Sequence, residues 1–144
     1  MEQQNYANHR RLVPAFHAVL LGILVLTLIG SLVNLYKSFG DHERLYNAAL
    51  IVVLVVTSLM LFVFCRAFPI KAQDRAIRAE ENLRHYVLTG KLLDPRLSVG
   101  QIVALRFAGD DEFPALAVRA AQESLSPDTI KRTIQNWRAD THRV

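Results

Sequence analysis

The residues with the clearest chemical potential are five histidines, one cysteine and one run of three acids. His17 stands inside an otherwise apolar run. An ionisable residue in a membrane span is a functional candidate by default, as a proton relay or as a haem or pigment ligand. The competing reading is an interfacial ring that meets headgroups or water, because His17 lies only about one turn inside the run. The second apolar run holds no histidine. One chain therefore cannot offer two histidines to a haem from this pair of helices, whereas a symmetric dimer could use His17 twice. Asp110-Asp111-Glu112 offers oxygen ligands for a divalent cation. Its alternative use is helix capping and dipole complementarity. Cys65, the sole cysteine, makes neither an internal disulfide nor a metal cluster, and packing is its simplest use. His9, His42, His85 and His142 are scattered. No Gly-rich phosphate loop and no HExxH, CxxC or GxSxG pattern occurs. The expectation is a non-enzyme without a cofactor, with His17 as the one candidate ligand.

The elements that carry these residues follow from hydrophobicity. Leu12 to Tyr36 is almost uninterrupted apolar sequence, and its length gives about 37 Å of helix. That spans a hydrocarbon core of about 30 Å with some tilt. Leu45 to Phe68 is a second such run, with Arg66 as its only charge, close enough to the end to snorkel. A cleaved signal peptide fits the first run poorly, since the run is too long and no A-x-A-like site follows. The connector Lys37–Arg44 is short, and Gly40 permits a turn. The expected unit is an antiparallel transmembrane hairpin, 12–36 and 45–68.

Basic residues set the orientation. Arg10 and Arg11 precede the first span, and Arg66, Lys71, Arg75 and Arg78 follow the second. The connector has only Lys37 and Arg44. Both termini are expected on the cytoplasmic side. In the second span, Asn47, Ile51, Leu54, Ser58, Leu61 and Cys65 recur at spacings of four and three, which is the pattern of a left-handed packing seam. A nearly all-apolar helix also contains such a series by chance. Ala18 and Gly22 form a small-xxx-small pair in the first span.

Charge concentrates after the spans. Of 17 Lys and Arg, 12 lie from Lys71 onward, beside 10 of the 13 acids. This half is expected to be a small all-α cytoplasmic domain, 69–144, with 1–11 as a separate N-terminal tail. Pro69 marks a break or kink. A helix follows from Lys71 to about Thr89, with Ala72, Ala76, Ala79, Leu83 and Tyr86 as its apolar face and Arg75, Arg78, Glu81, Asn82 and His85 on the other side. Gly90 suits a left-handed cap. Ser98 and Gln101 form a capping box. Gly109 ends that helix, and Asp111 is the expected next N-cap, with Phe113, Leu116, Ala117 and Ala120 facing inward. Ser126 caps a last helix running to Asp140, with Pro127 at its first position and a buried stripe of Ile130, Ile134 and Trp137. Lys131, Arg132 and Arg138 read as its solvated face. A unit of this size has a marginal core, so it is expected to lean on the membrane, a partner or its own copies.

Nucleic acid is excluded as a partner. The acids Asp110, Asp111, Glu112 and Asp128 stand at helix N-termini, where a recognition helix would meet phosphates. Arg66, Lys71, Arg75 and Arg78 have a simpler use at an anionic lipid surface, or as plain positive-inside anchors.

The stretches QNYANHRRLVPAFH, ENLRHYVLTGKLLDPRLSVGQIVALRFAGDDEFPALA and SPDTIKRTIQNWRAD, together with the two spans, resemble a family of short bacterial membrane proteins catalogued only as a domain of unknown function. The resemblance covers nearly the whole chain. It implies a bacterial inner-membrane protein with a cytoplasmic helical tail, and it carries over no catalytic or ligand residue. The expected role is a homo-oligomer or an accessory subunit of a larger membrane complex. The alternatives are a pore lined by Thr27, Ser31, Asn34, Asn47, Thr57 and Ser58, and a cofactor-binding subunit using His17.

Overall fold

The computed structural model describes residues 4–9 and 12–140. Arg10, Arg11 and His142, used above, lie outside those residues. Among the described residues the fold is all-α, with one isolated bridge between Ala108 and Trp137. The chain divides into two units. One holds Leu12–Phe68, and the other joins the described residues 4–9 to those from Pro69 onward.

The first unit opens with a π-helical stretch, Ala15–Leu20, that continues as α1, Leu21–Lys37. Gly40 takes φ +98°, a conformation in which only glycine is unstrained, and so lets the chain turn. Asp41 then caps the next helix, accepting from Arg44 N at 3.1 Å. That helix is α2, His42–Thr89, and its 48 residues run into the second unit.

Both apolar runs are long and apolar enough to cross a membrane. Phe16 stacks on Phe62 with ring centroids 4.3 Å apart. The shielded positions of α2 in this unit are Leu45, Ala48, Val52, Val55, Leu59 and Phe62, at alternating spacings of three and four. On α1 they are Leu24, Leu28, Ser31 and Leu35. Small Ala48 and Ser31 are buried, which lets backbones approach closely. The remaining apolar side chains point outward.

Pro69 does not break the helix. Its missing N–H removes one bond from the ladder, and its ring crowds the preceding turn. Strong helix formers on both sides, Arg66-Ala67 before and Lys71-Ala72-Gln73 after, carry the ladder past that single defect. The separate helix expected from Lys71 is therefore the end of α2. Gly90 closes it at φ +72°.

In the second unit three short helices follow: α3, Val99–Leu105; α4, Phe113–Gln122; and α5, Pro127–Thr133. The Ser98–Gln101 capping box is present, and Ser126 caps α5 by accepting from Thr129 N. The core gathers Leu93, Leu97, Ile102, Leu105, Phe107, Phe113, Leu116, Ile130 and Ile134 around alanines 104, 108, 117, 120 and 121. Gln101 ties these helices together. Its Oε1 accepts from Ser98 N, and its Nε2 donates to Leu125 O at 2.9 Å.

Two helix boundaries differ from expectation for one reason, the acid run. Glu112, not Asp111, occupies the N-cap of α4, and it makes no side-chain cap bond. Its carboxylate instead accepts from Gln135 N at 3.1 Å and Asn136 N at 3.0 Å. Those amides would otherwise continue α5. The helix stops at Thr133, and Ile134 turns extended at φ −62°, ψ 125°. Gly109 N then donates to Asn136 O at 2.9 Å, and Arg138 N to Phe107 O at 2.8 Å. A Cβ on Gly109 would sit 3.2 Å from Asn136 O and 2.6 Å from Asp111 Oδ1, so the approach requires glycine.

Candidate interaction surface

In the second unit α2 has two faces, and its packed face is the polar one. Ile77, Glu81 and His85 are buried, one turn apart. Glu81 is only 5% exposed, and its carboxylate accepts from Arg84 Nη1 at 2.9 Å. Arg84 also donates from Nη2 to Ala108 O at 2.7 Å and from Nε to Asp110 Oδ1 at 2.7 Å. Its guanidinium lies 4.3 Å from the centroid of the Phe113 ring. The Nδ1 of His85 is 2.7 Å from Lys91 O, and the ring meets Phe113 edge-on. Asn82 Oδ1 accepts from Leu93 N at 2.9 Å. One arginine with its five donors thus joins α2 to the α3–α4 loop.

The expected apolar face is the opposite side. At 100° per residue, Ala72, Ala76, Ala79, Leu83 and Tyr86 centre about half a turn from Glu81. All five are exposed, Leu83 at 64% and Tyr86 at 53%. The sequence pattern located the apolar stripe correctly, but the helix packs into its own unit on the polar side. Buried Glu81 and His85 tolerate this because each has a hydrogen-bond partner.

A cleft of about 320 Å³ runs beside this helix, lined by Gln73, Ile77 and Glu81 of α2 and by Arg106, Arg138 and Asp140. Ala76 and Glu80 also line it. Arg106 pairs with Asp140 at 2.9 Å, and Arg138 Nη1 reaches Glu81 Oε1 at 3.6 Å. The cleft lining therefore carries both signs of charge.

Other expected site residues lie elsewhere. Ile130 and Ile134 belong to the unit's own core, and Trp137 packs partly buried against it, 5.1 Å from Phe107. They do not form a helical stripe open to a partner, because α5 ends before Ile134 and Trp137. Nor are Lys131, Arg132 and Arg138 simply solvated. Arg132 Nε donates to Asp128 Oδ2 at 2.8 Å and Nη2 to Tyr6 Oη at 2.9 Å. Lys131 Nζ lies 3.2 Å from His9 Nε2. The acid run splits three ways, with Asp110 on Arg84, Asp111 on Asn136 Nδ2 and Glu112 on two backbone amides.

In the first unit Asn47, Ser58 and Cys65 are exposed, as are Ile51, Leu54 and Leu61. This series stands one residue before the shielded one, about 100° around the helix. It is not the face that meets the rest of that unit. His17 is half-buried, with Nδ1 3.0 Å from Val13 O and its ring edge-on to Phe16. Arg66 is half-buried, while Lys71, Arg75 and Arg78 are exposed.

The N-terminal segment, expected as a separate tail, packs on the second unit. Tyr6 Oη donates to Asp128 Oδ1 at 2.6 Å. The buried His9 ring sits 5.8 Å from Phe107 and 6.0 Å from Trp137, and Asp140 N donates to Gln4 Oε1. Hydrogen bonding to Tyr6 first, and then to Arg132, holds the Asp128 carboxyl below its ordinary value. Sequence patterns do not reveal this clasp, because its partners are more than a hundred residues apart.

No curated protein and no solved structure matches the chain. A family model matches residues 1–144 end to end, so the chain belongs to DUF6526, a family of unknown function.

Proposed function

We propose that this chain is a non-enzymatic integral protein of the bacterial inner membrane, with both termini cytoplasmic, acting as an oligomeric or accessory subunit of a membrane assembly. The observation that carries it is the clasp of Gln4–His9 on the second unit. The residues before the first apolar run and those after the second belong to one unit, as an even number of crossings requires.

Exposed Leu, Ile and Val cover both apolar runs, far beyond what a soluble monomer leaves in water. In lipid that surface needs no cover. Thr27, Ser31 and Ser58 turn their hydroxyls onto their own helix carbonyls, which favours lipid or helix contact over a wet lining. The three acids best suited to a metal or catalytic role are occupied in holding the fold. The exposed apolar stripe of α2 supplies a surface for assembly.

The test is alkaline carbonate extraction, followed by crosslinking in native membranes and mild-detergent purification. The protein should stay with the membrane and appear in higher-mass species. Extraction into the soluble fraction would refute the membrane reading. A strictly monomeric species with no co-purifying protein would refute the assembly.

A further inference from the structure

We infer that the outward stripe of α2 in the second unit is a self-association surface, on which two copies of this chain pair their α2 helices in parallel. The inference rests on the membrane reading above and names the partner that reading leaves open.

Ala72, Ala76, Ala79, Leu83 and Tyr86 follow spacings of four, three, four and three. They take positions d, a, d, a and d of a heptad. All five are exposed, and they lie opposite the face that packs into the unit, so a second helix can reach them without displacing anything. The three alanines allow close approach, while Leu83 and Tyr86 supply the larger apolar area.

The flanks select the partner. Arg75 takes a g position and Glu80 the following e position, on opposite edges of the stripe. Both are exposed, and neither joins an ion pair among the described residues. In a parallel pair each g residue faces the e residue five positions later on its partner. That spacing joins Arg75 to Glu80 of the second copy, and two-fold symmetry makes the pair twice. In an antiparallel pair g meets g and e meets e, which leaves Arg75 and Glu80 without this match. Copies inserted in the same orientation present α2 in the same direction, so parallel pairing is the geometry available to them. The other flanks, Gln73, Asn82 and Val87, bring no like charges together.

The test is disulfide crosslinking of the full chain in native membranes, in a Cys65→Ser background. Single cysteines replace Ala76, Ala79 or Leu83 on the stripe, or Arg78 or Asn82 off it. Oxidation should give a species of twice the chain mass from the three stripe positions and not from the other two. With the cysteine at Ala79, Arg75→Glu or Glu80→Arg should each lower dimer yield by roughly threefold, and the double swap should restore it. Equal crosslinking on and off the stripe would overturn the inference. So would crosslinking to a protein of another mass, or no rescue by the double swap. If the stripe cysteines stay monomeric while lysine-reactive crosslinkers still give higher-mass species, this surface is wrong and the assembly reading stands. If neither reagent gives such species and nothing co-purifies, both fall.

Discussion

The phenol of Tyr6 donates a 2.6 Å hydrogen bond to the carboxylate of Asp128, 122 positions later in the chain. Arg132 completes the arrangement. It donates to both groups, and its guanidinium lies 4.7 Å from the Tyr6 ring centroid. The two ends of the chain therefore form one clasp, and the two apolar runs lie between its halves in sequence.

This clasp is acid-sensitive. The Asp128 carboxyl is held below its ordinary value of 3.8, by Tyr6 first and Arg132 second. A carboxyl lowered by folding stabilises the fold fully above its unfolded value and loses that contribution as pH falls through its folded value. The clasp should hold at neutral pH and loosen only as pH drops below 3.8. Emission from the single tryptophan, Trp137, which borders His9, reads this directly. The wild type should show a transition in that acid window, and Asp128→Asn should already show the loosened spectrum at neutral pH. Asp94, held to about 2 by its hydrogen bonds to Arg96, should titrate later. Identical acid profiles for wild type and Asp128→Asn would contradict the clasp.

Arg84 should be the most sensitive side chain on the packed face of α2. Arg84→Met leaves the Glu81 carboxylate, 7% exposed, without its close cation and removes a donor from Ala108 O. Breaking such a buried pair costs about 3 kcal/mol or more. Thermal denaturation in detergent should fall well below wild type for Arg84→Met. Adding Glu81→Leu should recover part of the loss, since the stranded charge is then gone.

Gly109→Ala should destabilise the second unit by about 1–3 kcal/mol. Its Cβ would crowd Asn136 O and Asp111 Oδ1. Amide exchange at Gly109 and Arg138, which both bond across this junction, should quicken with it. Gly22→Ala is the control. Nothing lies within 4 Å of a Cβ there, and stability should hold.

These residues also mark what the sequence could and could not convey. The Ser98–Gln101 box and the Ser126 cap are local, complete within four residues, and were legible. So were the two apolar runs and the inward Phe113, Leu116, Ala117 and Ala120. The far end of Gln101 was not, because its Nε2 meets Leu125 O across the fold. The end of α5 depends on Glu112, more than twenty residues upstream, overriding local helix propensity. The packed face of α2 was misassigned because apolarity was taken to mean burial. The buried face is polar and satisfied by Arg84, a match that needs tertiary proximity.

The central claim is that both ends lie on one side of the membrane and the connector on the other. The direct measurement is labelling of single cysteines by a membrane-impermeant maleimide, in a Cys65→Ser background, on right-side-out and inverted vesicles. The cysteines replace Asn5, Phe39 or Gln135, all exposed. The account predicts that positions 5 and 135 label only in inverted vesicles and position 39 only in right-side-out ones. Labelling of positions 5 and 135 from opposite sides, or of all three from one side, would contradict it.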